Sequence, residues 1–506
     1  VYETSVSEFP IARSPLAAPV LTLRVEIDPA RTRRWQAQLV DDLRTAGHAV
    51  SVHHARRAPA PPLALALIIA FERLVTGRSG PHPSERIDLA ESRPADGKPA
   101  DLVVDLTGGA DPETGERRLA PLYAGTLLEE AAVQALLART APDIGVRDTG
   151  AVQRDHRVRA AIEDRGLVTA ALDMLGARLR TLLLRRVKEI ARGDPPAEPG
   201  LAAPLPTAPW TFHQSGRALV QELRALLQRM STEAPHWYIG WRRTGADRLS
   251  ETMAIPAEGW QRIPDDGQRF YADPLVVQHG GASYLFLEEF PYATGKGILA
   301  YMPFGPDGPR GPARPVLETP YHLSYPFVFE HGGAMWLVPE SGAAGRIDLY
   351  RADPFPERWT LVATLVDGVE ASDATIITHQ GRLYMFATVG GDGASTWDAL
   401  HIWSADALAG PWVAHPRNPV LIDAIGARPA GAFYRRGGEL WRPVQDCTTG
   451  YGAGLGFARI DRLDREAFAQ TVAAVVRPGG GWPGTSIHTL SWAGGVEAVD
   501  GCEPRR

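Results

Sequence analysis

Three acidic side chains stand at matching places in three copies of one phrase. Asp273 opens DPLVVQHGGASYLFLEE, Asp373 opens DATIITHQGRLYMFATV, and Glu340 closes SYPFVFEHGGAMWLVPE. Carboxyl groups gathered in one pocket cannot all ionise freely, because like charges a few ångströms apart push at least one pKa upward. Such splitting leaves one acid and one base, the pair that cleavage of a glycosidic bond requires. Glu340, flanked by apolar Val338 and Pro339, is expected to be the general acid, Asp273 the base or nucleophile, and Asp373 a charge stabiliser or pKa modulator. An aspartate before a proline also caps turns, and a strand-end glutamate can be satisfied by backbone amides. Position decides between these readings.

The positioning elements are legible as a repeat. ADPLVVQHGGASYLFLEE, SYPFVFEHGGAMWLVPES, SDATIITHQGRLYMFATV, PAGAFYRRGGELWRPVQD and SIHTLSWAGGVEAVDG are each an apolar strand, a glycine turn and a second strand. The turn glycines Gly281, Gly333, Gly381, Gly438 and Gly495 recur at intervals of roughly 50 residues, the length of a four-stranded propeller blade. Two hairpins are followed by a strand, a polar turn and a Trp-led outer strand at Trp359 and Trp412. The fifth has no chain left for such a pair, but the segment before the first carries one, with Trp260 in register. The outer strands of the last blade therefore come from the start of the domain, which closes the ring and removes open sheet edges.

In such a ring the start of each inner strand and the end of its partner share a face. Asp273, Tyr325, Asp373, Ala430 and Ile487 hold the first position, and Glu288, Glu340, Thr388, Gln445 and Cys502 the second. Asp273, Glu340 and Asp373 should converge at one mouth of the channel, with Glu288, His322, Tyr325, Arg428, Arg442, Gln445 and Asp446 as substrate-binding candidates. Of Glu288 and Glu289, one is expected in the pocket and one in solvent. The two arginines could pair with Asp446 or clamp an anionic group. Tyr325, Trp336 and Trp441 could offer stacking faces to a sugar or pack between blades. His322 reads as a packed histidine or a hydroxyl partner, and no metal site or cofactor is expected.

The 506 residues exceed one ordinary core. Residues 1–20 read as a disordered or trimmed lead-in and 21–193 as alternating strands and helices, a small Rossmann-like open α/β sheet. The Pro/Ala-rich stretch 194–231 reads as a linker and connecting helix, and 232–506 as the five-bladed propeller. Within the first domain LTLRVEI, HAVSVHH and ADLVVDLTGG should be strands, ARTRRWQAQLVDDLRTAGH and LALALIIAFERLV helices, and 156–192 one long helix or two. A formal net charge of -6 without a basic stripe argues against nucleic acid. No apolar run reaches the roughly 18 residues of a membrane span. Two cysteines, Cys447 and Cys502, allow at most one bridge, and a cytoplasmic location is the default.

The phrases FYADP, HLSYPFVFE, VPES, LYRADPFPERW, GPWVAHPRNPV, ARPAG and QDC followed by YG resemble, as a set, the propeller of the N-terminal region of plant glucosamine inositolphosphorylceramide transferases and of bacterial proteins joined to formyltransferase-like domains. That resemblance implies a carbohydrate or glycolipid partner. More distantly, the architecture is similar to the invertase, arabinanase and xylosidase propeller glycosidases, in which the first blade supplies an aspartate base or nucleophile. Asp273 matches that role, whereas Tyr325 stands where the second-blade aspartate is usual, and Asp373 or Thr388 where the third-blade glutamate is. The first half loosely resembles the formyltransferase fold, without its HxSLLP-type segment or a GxGxxG, which implies a packing or docking domain. A glycoside hydrolase or transglycosylase is expected. A non-catalytic glycan-binding module and a divergent formyl or acyl transferase are the rival readings.

Overall fold

The computed structural model describes residues 19–59, 63–76, 81–92, 99–109, 115–150, 152–194, 235–479, 482 and 484–504. The expected lead-in and linker lie almost entirely outside them. The first half is built from β1 (Thr22–Ile27), α1 (Arg34–Thr45), β2 (Ala49–His54), α2 (Leu63–Thr76), β3 (Leu102–Asp105), β4 (Arg118–Tyr123), α3 (Glu129–Leu137), β5 (Asp143–Asp148), β6 (Arg154–Arg159) and α4 (Val168–Arg192). Its sheet runs β2-β1-β3-β4-β5-β6. The first four strands are parallel, and β5 and β6 return antiparallel. The Rossmann-like core is thus present, with one correction. Residues 156–159 belong to the edge strand β6, and the helix begins only at Val168, because RDHRVR pairs across a hairpin with DIGVRD.

Helix α4 is the spine of this half. Leu167 at its N-cap offers no side-chain acceptor, and the exposed helix amides are met instead by Glu72 of α2, whose carboxylate accepts from the Val168 and Thr169 amides at 2.8 Å each. At the carboxyl ends of β1 and β3, where open α/β sheets bind their ligands, the polar groups are consumed by one another. Arg57 and Arg118 both pair with Glu26 and Asp105 at 2.6–3.2 Å. Arg57 lies so close over Gly109 that a Cβ there would meet it at 2.1 Å.

The second half is a ring of five sheets. β9 (Arg269–His279), β10 (Ala282–Pro291) and β11 (Ile298–Gly305), edged by β12 (Gly308–Pro309) and β13 (Arg314–Leu317), form blade one. β14 (Ser324–His331), β15 (Ala334–Glu340), β16 (Arg346–Ala352) and β17 (Trp359–Asp367) form blade two. Blade three comprises β18 (Ala371–His379), β19 (Arg382–Val389) and β20 (Ala399–Ala405), edged by β21 (Val413–Ala414) and β22 (Leu421–Ile422). Blade four is β23 (Tyr434–Arg436), β24 (Glu439–Asp446), β25 (Gly454–Leu463) and β26 (Phe468–Val476). Blade five joins β27 (Leu490–Ala493) and β28 (Val496–Pro504) to β7 (Pro235–Arg243) and β8 (Gln261–Arg262) from the start of the domain. The register runs from Val496 opposite Arg243 to Pro504 opposite Pro235, so the ring closes as the repeat requires. The equivalent tryptophans act alike: the indole N–H of Trp260, Trp359 and Trp412 donates to the carbonyls of Pro256, Pro356 and Leu408 in the turn before each outer strand. No helix among the described residues is long and apolar enough to cross a membrane.

The halves meet at the loops of blades three and four. Asp398, 1% exposed, accepts from Arg178 of α4 at 2.6 Å and from the Ala161 amide at 2.8 Å. Arg159 grips Asp423 through two contacts of 3.0 Å. Removing one partner of a buried ion pair strands the other's charge out of water. Arg178→Ala should therefore destabilise the interface by about 3–5 kcal/mol, read as an earlier first transition in chemical denaturation. An unchanged transition would show that the pair does not hold the halves together.

Candidate functional site

In three blades the inner strand carries the same defect at the same place. Asp273 and Pro274 oppose the single residue Leu287, Tyr325 and Pro326 oppose Pro339, and Asp373 and Ala374 oppose Ala387, each a β-bulge. The first residue of every bulge is left-handed, with φ of 50° at Asp273, 42° at Tyr325 and 55° at Asp373. An L-residue pays about 1–2 kcal/mol for that conformation. It frees the residue's amide from the ladder and aims it at the neighbouring blade. The Asp273 amide donates to Asp500 Oδ2 of blade five at 3.0 Å, the Tyr325 amide to Asp273 Oδ2 of blade one at 3.0 Å, and the Asp373 amide to Glu340 Oε2 of blade two at 3.1 Å.

Around these bulges the charged groups form two clusters. In the first, His488 lies between Asp273 and Asp500, its Nε2 3.1 Å from Asp273 Oδ1 and its Nδ1 2.9 Å from Asp500 Oδ1. Thr489 Oγ1 donates to Asp273 Oδ1 at 2.8 Å. Burial alone would lift the Asp273 carboxyl. The hydrogen bond and charge of His488, with Thr489 and the Tyr325 amide, outweigh it and hold Asp273 below its ordinary value. His488 responds in the opposite sense: burial lowers it, but Asp500 and Asp273 together raise it to about 10. Asp273, His488 and Asp500 have ligand-type atoms within 4.8 Å of one another. The same three groups form an ion-pair bridge when the imidazole is protonated and a metal-type donor set when it is not.

In the second cluster Arg428 Nε donates to Asp373 Oδ2 at 2.6 Å and its Nη2 reaches Glu340 Oε2 at 3.4 Å, while Gln445 Nε2 donates to Asp373 Oδ2 at 2.7 Å. Glu340 is raised well above its ordinary value, first by burial and then by the Asp373 charge, against the pull of Arg428. Glu288 is also raised, by burial and by Asp273 and Glu340. Its nearest ionisable partner is His322, whose Nε2 lies 3.5 Å away. Since His322 Nδ1 accepts from the Gly297 amide at 2.9 Å, the neutral ring carries its proton on Nε2, towards the cleft. Gly297 has no room for a side chain: a Cβ would meet Glu288 Oε1 at 2.6 Å and the Leu323 carbonyl at 2.5 Å. With side-chain exposures of 18% for Glu340 against 5% for Asp273 and 2% for Asp373, Glu340 is the most exposed of these three carboxyls.

Asp273, Glu288, Glu340, Asp373, His322, Arg428 and Gln445 thus come together. Six other candidates do not. Arg442 is turned between blades three and four, bonded to Gln470 and to the Gly426 and Ala427 carbonyls. Asp446, one residue past Gln445 and so on the opposite face of β24, caps Thr448 and pairs with Arg477. The Tyr325 ring is buried beside Phe327 with its hydroxyl on Thr375 Oγ1 at 2.9 Å, and no stacking face is left. Glu289 is not solvated either; it is 2% exposed and bound by Arg269. Trp336 and Trp441 sit near the far hairpin turns, Trp336 bonded to His331 and Trp441 against Tyr434 and Arg436. Both cysteines are free.

Sequence reasoning missed His488, Thr489, Asp500, Tyr451 and Trp397. Tyr451 lies over the Arg428 guanidinium at 5.1 Å and beside His488 at 4.8 Å, and its hydroxyl senses Asp273, Asp373 and Glu340. Trp397 packs on Tyr451 at 5.3 Å. The signal for His488 was present in SIHTLSW, one residue past the aligned strand-start position. Asp500 stands two residues before the aligned strand-end position, on the same face of β28.

Residues 263–490 match the family described as glucosamine inositolphosphorylceramide transferase 1, N-terminal. Over 264 residues the chain is 29% identical to the glucosamine inositolphosphorylceramide transferase 1 of Oryza sativa subsp. japonica, covering 49% of this chain and 35% of that protein. It is 32% identical over 205 residues to the Arabidopsis thaliana protein of the same name, covering 40% and 27%. The chain therefore spans about a third of the length of these relatives. Among solved structures, Zg3597, a family 117 glycoside hydrolase of Zobellia galactanivorans, aligns at 15% identity and TM-score 0.33, over 47% of this chain and 86% of that one. An exo-beta-1,3-galactanase of Phanerochaete chrysosporium aligns at 16% and 0.33, over 44% and 56%. By sequence, the second half of the chain resembles the N-terminal region of the glucosamine inositolphosphorylceramide transferases.

Proposed function

We propose that the propeller mouth is the active site of a glycan-directed enzyme, a glycoside hydrolase or a transglycosylase using the same groups. The observation that carries this reading is the unequal partnering of neighbouring carboxyls: Asp273, bonded to His488 and Thr489, is shifted below its ordinary value, whereas Glu340, buried beside Asp373, is shifted above it. Asp273 attacks the anomeric carbon or deprotonates the water that does. Glu340, in contact with solvent, protonates the departing oxygen and recovers its proton afterwards. Asp373 and Arg428 act through Glu340. Loss of the proton leaves a carboxylate that Arg428 can hold, so Arg428 limits how far the pKa rises. Glu288 and the Nε2–H of His322 present hydrogen-bond donors to sugar hydroxyls.

Both cations at this mouth are already taken, Arg428 by Asp373 and Glu340, His488 by Asp273 and Asp500. The anion clamp expected of Arg428 and Arg442 therefore has no support, and a sugar ring without negative charge suits the cleft best. The names of the matched relatives support a glycolipid or glycan context. A formyl or acyl transferase in the first half finds no support, since Arg57 and Arg118 fill the strand ends where its ligand would sit.

Asp273→Asn should lower turnover of a susceptible aryl glycoside by at least about a thousandfold while leaving its binding intact. Glu340→Gln should reduce the rate most for substrates with poor leaving groups and least for nitrophenyl glycosides, which need little protonation. Binding without turnover by the unmodified protein would instead identify a recognition module.

The His488 bridge makes its own mark on stability. Its folded pKa, about 10, lies above the ordinary 6.5. The stabilisation is then complete below about pH 6.5 and is lost as pH rises through about 10. Denaturation midpoints measured between pH 6 and 10 should fall with pH more steeply for the unmodified chain than for His488→Gln. Parallel curves would mean that the imidazole is not the charged member.

A further inference from the structure

We propose that the N-terminal domain serves as the backing of the sugar site: it fixes the blade-three loop at residues 390–398 so that Trp397, set against Tyr451, forms a stacking wall beside the catalytic carboxyls. The proposal rests on the reading of the mouth as a sugar site, and goes beyond it by giving the first half of the chain a part in substrate binding.

The loop leaves β19 at the end of the strand that carries the mouth, and the other domain supplies several of its anchors. Glu163 Oε1 accepts from Ser395 Oγ at 2.8 Å and from the Thr396 amide at 2.9 Å. Arg178 donates to the Ser395 carbonyl at 2.8 Å as well as to Asp398. Ser395 Oγ in turn accepts from the Trp397 amide at 3.0 Å, so the residue that the N-terminal domain grips is also the one that orients the tryptophan. Behind the indole lie Ala161 from the first half and Ala424 and Cys447 from blades three and four. In front lies Tyr451, at 5.3 Å and a 39° tilt. Tyr451 continues the wall to Arg428, and Arg428 to Asp373 and Glu340.

Trp397 and Tyr451 are only partly buried. An indole and a phenol side by side, partly exposed next to the carboxyl cluster, suit the apolar face of a pyranose, whose C–H groups meet the ring while its hydroxyls turn to Glu288 and His322. The two anchors differ in kind. Arg178 is buried and its loss endangers folding, whereas Glu163 is exposed and its loss frees only the loop.

The test uses the 506-residue chain with Asp273→Asn, which removes turnover, and calorimetric titration with the 4-nitrophenyl glycosides of glucose, galactose and N-acetylglucosamine. Trp397→Ala should weaken binding of the glycoside that binds best by about tenfold. Glu163→Ala should weaken it by about threefold or more at an unchanged melting temperature, and Glu163→Gln, which keeps an accepting oxygen, should restore it. In the chain with Asp273 intact the same changes should raise KM and leave kcat within about threefold. Binding without turnover removes the hydrolytic reading and leaves the wall standing. Unchanged affinity in Trp397→Ala or Glu163→Ala overturns the proposal, as does the failure of all three glycosides to bind.

Discussion

The site depends on one recurring interaction, the handover of a bulge amide from three of the five inner strands to a carboxylate of the blade before it. Asp500 receives the amide of Asp273, Asp273 that of Tyr325, and Glu340 that of Asp373. An amide expelled from a ladder and left buried would cost about 1–3 kcal/mol. Only a neighbouring blade in the correct rotation can supply its acceptor. The same contacts therefore define the angular order of the blades and place their acids within reach of one another. Ring closure by β28 and β7 is a precondition, since Asp500, the first acceptor, belongs to the blade that the two ends of the domain build together.

That economy explains why the mouth tolerates so much buried charge. Isolated carboxylates would be driven to neutrality by desolvation. Here the carboxyls have partners: Asp273 and Asp500 face His488, and Asp373 faces Arg428 and Gln445. Glu288 and Glu340, less fully partnered, are raised. Functional asymmetry thus follows from an uneven distribution of partners among similar side chains. Such pairs contribute less to stability than their geometry suggests, because desolvation offsets much of the attraction.

Much of this was legible from the repeat. Glycine turns at a constant offset locate each hairpin, and period-two geometry then assigns Asp273, Glu288, Glu340, Asp373 and Gln445 to one face. Partners were less legible. Arg428 and Arg442 look equivalent around the fourth hairpin, yet one enters the mouth and the other turns between blades, because a strand reverses its facing at every residue and a loop obeys no such rule. Asp446 failed by that same single-residue alternation. His488 and Asp500 escaped because alignment on the turn favours the last residue of a strand, whereas blade five places its acid two residues earlier. In the first half, β6 was lost inside a helical reading since RDHRVR carries little apolar signal, and its pairing with β5 is a long-range fact.

Conformational strain falls on residues that tie blades together. Glycine would relieve the left-handed backbone at positions 273, 325 and 373, and glycine stands at most of the other positive-φ sites among the described residues, Ala124, Arg139, Met253, Gln380 and Asp392 being the exceptions. In the fourth blade the corresponding bend falls one residue later, on Gly431, with φ of 140° and the Leu490 carbonyl 2.1 Å from where a Cβ would stand. There the backbone's demand was met with the residue that suits it. In blades one and three an aspartate occupies the strained position instead, and its carboxylate is bonded across to other blades, Asp273 to His488 and Thr489 and Asp373 to Arg428 and Gln445. At those two positions a side chain that ties blades together is kept at a cost in local backbone strain.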